Sequence, residues 1–524
     1  MRPALLVGLF LVGCGADGRP LDRPTVTPSG PIAPVTLGDA TQVLPLEFTA
    51  DDRWFVFLAR TAPFVGELRA VDLATGAVRT LDRDVVVEPG VGDRREPPTP
   101  QLAPRADGVL YRRLTAGDPL RSRQVASDLY FVRFDGEPTL LAREVATDRF
   151  RYADEGRWAL HVDLQGTLRV TAVDTGATRV LAEGVVPRNE AHADLRTAVA
   201  LQDLPLVEAE SAVVATLADR TVVLRLRDGA TLATLPVVEL RSLRAVPDHV
   251  LALARAPDGA VTLIDHQLST GAQTRSPSAR QVTLRDDGRW AILTGEPAAG
   301  GTPRALYDVL GAETVALGTL WSDHATVGFA PGGDALVEDT HLDGVGLWRV
   351  AVPSGAVTLL DGDVISGSVI GGLTGTRVLY LRRAEVGGTL VDADLAGGAE
   401  AIIDAAVVPH TVHALDGGRR LLWVRAGSDQ RSLFTRRRDG GEVRSVGAGY
   451  AFPLPAGQAA LVAHESAAGL IERLVMHRFD DGAERVLTDG PVEVELATDH
   501  FALVASGTFD RVLSVHALDE ASEP

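Results

Sequence analysis

The residues with chemistry to offer are few and scattered along the chain. His410-Thr411-Val412-His413 is the closest histidine pair, and two imidazoles are a start towards a metal site. On a strand, however, positions three apart point to opposite faces, so the spacing predicts one packed and one solvent-facing histidine. His464-Glu465 opens the string HESAA, which lacks the second histidine of a helical zinc-protease motif. Asp392-Ala393-Asp394 and Asp361-Gly362-Asp363 lack the continuation of a calcium loop and read as turn residues. A nucleophile elbow needs G-x-S-x-G, and in the nearest string, GSVIG from Gly367, the serine is Ser368, one place too early. No residue is therefore assigned a catalytic, cofactor-binding or metal-binding role, and no cofactor is expected. The arginine clusters Arg112-Arg113, Arg382-Arg383 and Arg436-Arg437-Arg438 read as solvated strand ends or ion pairs with Asp and Glu.

Composition narrows the chemistry further. All 51 Lys+Arg positions are arginine, which excludes a lysine-bearing phosphate loop, a Schiff base and a lysine general base. Cys14 is the single cysteine in 524 residues, so no disulfide or multi-cysteine zinc site can form within the chain. A formal net charge of −19 opposes binding to nucleic acid, and none is expected as a partner.

The place of that cysteine is informative. MRPALLVGLFLVGC has one positive charge at Arg2, an uncharged run and then small residues, the layout of a secretory signal. The run is far shorter than the ~20 apolar residues that span a bilayer. Leu11-Val12-Gly13-Cys14 resembles the lipobox of bacterial lipoproteins. That resemblance implies a signal peptide over 1–13, lipidation at Cys14 and a membrane partner reached through acyl chains, two or more of which anchor a protein stably. Gly15 directly after the cysteine implies, by the same resemblance, the outer membrane of the cell envelope. Residues 14–33 carry most of a proline-rich stretch, GADGRPLDRPTVTPSGPIAP, and read as a semi-rigid tether.

Beyond the tether the chain repeats itself. GRWALHVDLQGTLRVTAVDTGATRVLAEGV from Gly156 has clear counterparts from Asp52 and from Asp286, with Trp54, Trp158 and Trp290 at one place. About eleven copies are present, each with apolar runs of five to seven residues separated by glycine-containing turns, the pattern of short strands joined by hairpins. The turns include Thr75-Gly76, Thr175-Gly176, Thr270-Gly271, Asp228-Gly229 and Asp481-Gly482, and Asp107-Gly108 at a second place, where glycine is expected for positive φ. Four short strands every ~45 residues predict an all-β fold of propeller blades. The pattern of a DG turn before RWxhxh and then LxVxDxxTGxxxxL resembles the WD-like and TolB-like β-propeller repeats of bacterial envelope proteins.

Eleven blades exceed the usual four to eight. Two rings, over 34–280 and 281–524, are expected, with one large ring as the alternative. A spare strand, PVTLGD from Pro34, precedes the first unit, and the last unit lacks its fourth strand, so the one can complete the other. The D-x-x-T-G strings are also similar to quinoprotein propellers, but Leu81 and Leu181 stand near the place of the docking tryptophan and no adjacent cysteine pair exists, so the pattern reads as hairpin chemistry. The recurring tryptophans read as core. The longest connections, 82–104 and 112–128, fall on one face and are where a binding site would concentrate. The functional expectation is a non-catalytic, lipid-anchored scaffold for an envelope protein or glycan. The alternatives are an envelope hydrolase or lyase with a site in the channel, or a purely structural repeat protein.

Overall fold

The computed structural model describes residues 33–518, apart from 88–99, 116, 186–205, 208–210, 218–219, 237–238, 247, 257, 318–320, 331–332, 342–343, 375, 397–399, 427–430, 467–470 and 508–510. The signal, Cys14 and all but the end of the tether lie outside the described residues. So does the repeat copy expected near Asp194.

The described chain is all-β apart from a short helix at Pro119–Gln124 and one 3-10 turn, and it is a β-propeller fold of four-stranded antiparallel units, eleven of them among the described residues. Unit 1 covers 43–86 and unit 2 begins at 101. Thr139–Ala153 is long enough to end unit 2 and open unit 3, and Arg444–Pro453 does the same for units 9 and 10. Units 4 to 8 begin at 206, 239, 281, 326 and 370, unit 9 at 413, and unit 11 at 492. The spare strand Val35–Asp39 lies antiparallel on the third strand of unit 11, with Val35 opposite Val515 and Asp39 opposite Val512. The first strand of the chain thus supplies the fourth strand of the last unit.

Each unit takes its shape from its turns. In the hairpin after the third strand of unit 1, the Asp72 carboxylate accepts from the Ala74 amide at 2.9 Å, and Gly76 donates to the Asp72 carbonyl with φ at 72°. The D-x-x-T-G string is therefore a turn in which a carboxylate ties down the amides that the bend leaves open. Gly108, expected at positive φ, is needed for a different reason: a Cβ there would stand 2.4 Å from the Val132 carbonyl, so the close approach of the neighbouring strand excludes any side chain.

No unit can bury both of its faces alone, and the cores lie between units. One apolar cluster joins each unit to the next through the chain: Val56, Leu68 and Val109 between units 1 and 2, for example, and Leu379, Leu390 and Trp423 between units 8 and 9. The series crosses 275–281 without a break, with Leu251 and Leu263 of unit 5 packed against Leu293 and Tyr307 of unit 6. It also returns to its start, where Phe501, Leu503 and Val515 of unit 11 meet Phe55, Phe57 and Val71 of unit 1. Among the described clusters none joins unit 1 to unit 5 or unit 6 to unit 11, the contacts that two arrays over 34–280 and 281–524 would need to close separately. Trp54 and Trp290 are buried, and Trp54 stacks on Phe134 of the next unit with centroids 4.9 Å apart, so the tryptophans act as core.

Candidate functional site

The polar residues singled out above divide into those that hold the units together and those left over for a partner. In the first group, three interfaces carry the same clamp. An aspartate on one unit's fourth strand reaches an aromatic and an arginine two residues apart on the second strand of the next unit. Asp404 accepts from Trp423 Nε1 at 2.7 Å and from Arg425 at 2.7 to 3.0 Å, while the Arg425 guanidinium lies 3.9 Å from the Phe434 ring centroid. Asp361 accepts from Arg382 at 2.7 Å beside Tyr380, whose hydroxyl donates to Glu400 at 3.2 Å. Asp82 accepts from Tyr111, with Arg113 at 3.7 Å. Burial and the neighbouring carboxylate hold the Tyr111 and Tyr380 hydroxyls protonated far above the ordinary tyrosine range.

A second device recurs at the outer strands. The arginine three places after a turn glycine donates to main-chain carbonyls of the following unit: Arg179 to Leu226 at 3.2 Å, Arg444 to Asp480 at 3.3 Å and Arg485 to Leu518 at 3.0 Å. A rigid guanidinium fork suits this bridging better than an ammonium would. The arginine clusters divide: some members sit in the ion pairs that their sequence setting predicts, whereas Arg112 is buried and donates to the Ser122 carbonyl and Arg436 donates to the Ile403 carbonyl. Arg383 pairs with Asp363, Arg437 with Asp439, and Arg438 with the buried Asp392 at 2.7 Å.

Several sequence candidates resolve into structure. Ser368 is buried, and its Oγ accepts from the Leu381 amide at 3.1 Å, which fixes a turn. Asp394 caps the Ala396 amide at 2.8 Å. For the histidine pair the expectation of one packed and one solvent-facing ring does not hold: His410, in a left-handed turn at φ 61°, and His413, on the first strand of unit 9, are both exposed. Surrounding protein still lowers the His413 pKa by desolvation. The physical reason is that residue 413 opens a first strand, which carries side chains at the unit's inner edge rather than in a core. Among the described residues no group of three or more His, Cys, Asp or Glu is arranged to hold a metal ion.

His161, on the second strand of unit 3, was not singled out by any motif. Its ring is buried and its pKa is lowered to about 4, first by desolvation and then by Arg169. The unfolded chain takes up this proton near pH 6.5 while the folded chain resists until about pH 4. Stability from this group is therefore complete above pH 6.5 and declines as pH falls towards 4, by about 3 kcal/mol. In denaturant titrations, His161→Leu should flatten the decline between pH 6.5 and 4; an unchanged slope would remove His161 as its source.

What is left over for a partner concentrates on units 1 and 2. In an antiparallel unit the connections after the second and fourth strands fall on the same edge, so 60–65, Val87 and the described residues of 114–125 share one face. Residues 88–99 lie outside the described residues. The connection 114–125 folds into the helix Pro119–Gln124, capped by Asp118, which accepts from the Arg121 amide at 3.0 Å. It is pinned from below by the buried Arg112, which donates to the Ser122 carbonyl at 3.4 Å, and laterally by Arg121 on Glu144 at 2.7 Å. Leu120 and Val125 are left 51% and 47% exposed, an apolar pair on a fixed platform. Beside unit 1 a concavity of about 430 Å³ is lined by the hairpin tip from Arg60 to Phe64 together with Gln42 and Val87.

A separate group lies where units 11 and 1 meet. Burial raises the pKa of Glu47 and of Glu495, the latter also through Glu493, and raises that of Asp52 despite His500 and a hydrogen bond to Thr498. Sequence reasoning passed over these carboxylates because each sits in an ordinary strand or DG-type turn, and only the closure of the last unit on the first sets Asp52 beside Thr498 and His500.

No family model matches the chain, and no curated protein matches it by sequence. Solved structures that resemble it include a eukaryotic initiation factor, at 11% identity over 75% of this chain and 97% of that one, with a TM-score of 0.41. Another is dipeptidyl peptidase 4 of Porphyromonas gingivalis, at 12% identity over 69% of this chain and a TM-score of 0.39; the chain spans 64% of that protein. A third is the β-propeller domain of the trilobed protease from Pyrococcus furiosus, at 14% identity over 53% of this chain and 92% of that one, with a TM-score of 0.27. Identities this low speak to the fold alone, which is that of a β-propeller protein.

Proposed function

We propose that this chain is a lipid-anchored scaffold of the bacterial cell envelope, built as one circuit of eleven propeller units, that holds a protein or glycan partner on the loop-rich face of units 1 and 2 and performs no catalysis. One observation carries this reading: the long connection 112–128 and the concavity between Gln42 and Val87 fall on one edge of adjacent units, while the aspartates, arginines and aromatics of units 7 to 9 are committed to clamps between units. The single circuit is supported by the unbroken series of interface cores and by the pairing of Val35–Asp39 with unit 11. Anchoring rests on Cys14 and the segment ahead of it, and outer-membrane placement on Gly15.

A photo-crosslinking side chain at Leu120 should capture a discrete envelope partner that the same group at Val486, on an outer strand, does not; equal capture at both positions would refute the face assignment. Cys14→Ser should abolish incorporation of labelled palmitate and move the protein out of the membrane fraction, since without acyl chains nothing else in 1–33 is long enough to hold it there. Retention of the label would overturn the anchor.

The raised carboxylates of units 11 and 1 favour a second reading, an envelope hydrolase or lyase, because burial that raises a carboxyl pKa moves it in the direction a general acid requires. That reading needs an activity on an envelope glycan or peptide that Asp52→Asn abolishes without unfolding the protein.

A further inference from the structure

The concavity on unit 1 has a chemical character of its own. Its volume of about 430 Å³ lies within the ~300–1,000 Å³ of small-ligand sites. The walls are apolar along Ala62, Pro63, Phe64 and Val87, and a single cation, Arg60, stands at the rim. In a protein of net charge −19, several arginines on units 1 and 2 pair with acids, Arg69 and Arg83 with Glu67, Arg121 with Glu144 and Arg143 with Asp128, while Arg53 and Arg79 lie over the Trp54 ring. Arg60 has no carboxylate partner among the described residues.

The tip is also held in a costly conformation. Phe64 has φ at 69°, in the left-handed region that a bulky side chain rarely occupies. Such an outlier persists only where surrounding contacts impose it. Here the Phe64 carbonyl accepts from the Val87 amide at 2.9 Å, and the Arg60 amide donates to the Gln42 carbonyl at 2.8 Å, so both ends of the tip are tied to neighbouring segments. Gly66 allows this closeness, since a Cβ there would stand 2.8 Å from Val87 Cγ2 and 2.9 Å from the Ala59 carbonyl. The hollow is thus fixed before anything enters it, which lowers the ordering cost of binding.

We propose that this hollow binds an acidic, apolar peptide segment of a partner protein, with the guanidinium of Arg60 on a Glu or Asp carboxylate and the adjoining aliphatic side chain against Phe64 and Pro63. The assignment rests on the loop-rich face being the binding face and names the class of partner it takes. Charge complementarity selects the acid, because a guanidinium meets a carboxylate through paired hydrogen bonds that are geometrically specific as well as strong. A neutral glycan would leave Arg60 unanswered.

The test uses the full-length protein in detergent and two blocked hexapeptides that differ in one residue, Ac-Ala-Val-Glu-Leu-Ala-Gly-amide and its Gln counterpart, titrated calorimetrically. The Glu peptide should bind saturably and about tenfold more tightly than the Gln peptide. Arg60→Gln should erase that difference with an unchanged melting temperature, because Arg60 is exposed, and Arg83→Gln should leave it intact. Equal binding of the two peptides, no saturable binding of either, or discrimination that survives Arg60→Gln would overturn the proposal. Capture from Leu120 that persists in Arg60→Gln while the peptides fail would sink this site alone; loss of capture from Leu120 in the parent protein would remove the face itself.

Discussion

Asp392→Ala should lower the stability of this protein by about 3–5 kcal/mol, the range for breaking a buried ion pair by removing one partner. Asp392 is 3% exposed on the third strand of unit 8. It accepts from Arg377 Nε at 2.9 Å within its own unit and, through both carboxylate oxygens, from Arg438 of unit 9 at 2.7 and 2.8 Å. The Arg438 side chain is itself only 7% exposed, so the alanine takes from a buried guanidinium the carboxylate that grips it through both oxygens. The double variant Asp392→Leu with Arg438→Met should recover much of the loss, because it removes the charge along with its partner. Chemical denaturation of the three proteins measures both effects. A loss under about 1 kcal/mol for the alanine variant would mean that solvent reaches this interface and that the ion pair behaves as a surface pair.

Deleting residues 33–39 should be comparably damaging. Val35 and Leu37 pack on the cluster shared by units 11 and 1, and their strand covers the edge of Val512–Ala517. Losing two partly buried aliphatic side chains and a run of main-chain pairing costs on the order of 3 kcal/mol. In a single circuit the damage should appear at the far end of the chain, as protease cleavage within 490–518 and a lower melting temperature, and a synthetic peptide of residues 33–40 should restore both. If 281–518 stays as resistant as in the parent, the strand Val35–Asp39 is not what holds the last unit closed, and the single circuit proposed above gives way to two arrays.

The units themselves are legible in the sequence because their causes are local. An aspartate that caps its own turn, a glycine at positive φ in Gly76 and Gly176, and alternating Val and Leu act within about ten residues of one another, so their pattern survives without the fold. The ion pairs of Arg383 and Arg437 were readable for a similar reason, since an acid lies within a few strand positions of each, whereas the burial of Arg112 was not. The clamps were not. Tyr111-Arg112-Arg113, Tyr380-Leu381-Arg382 and Trp423-Val424-Arg425 each resemble an ordinary strand end, and Asp82, Asp361 and Asp404 an ordinary turn. Their roles depend on which unit is the neighbour and which face meets it. The expectation for His410 and His413 failed on the same ground, because strand alternation says which side a ring takes but not whether that side is a core or an inner edge.

The amino-acid order by itself determined that this chain makes repeated four-stranded sheets with glycine and aspartate turns, that the strand from Pro34 is free to complete the last unit, and that no lysine or paired-thiol chemistry is open to it. Tertiary structure alone decided which sheets share a core, which carboxylates hold arginines across a seam, and that Arg60 stands at the rim of a fixed hollow with no carboxylate partner among the described residues. The physical reason is range: turn and strand preferences arise from atoms a few bonds apart, whereas burial, desolvation and ion pairing are set by atoms that the sequence separates by tens to hundreds of residues.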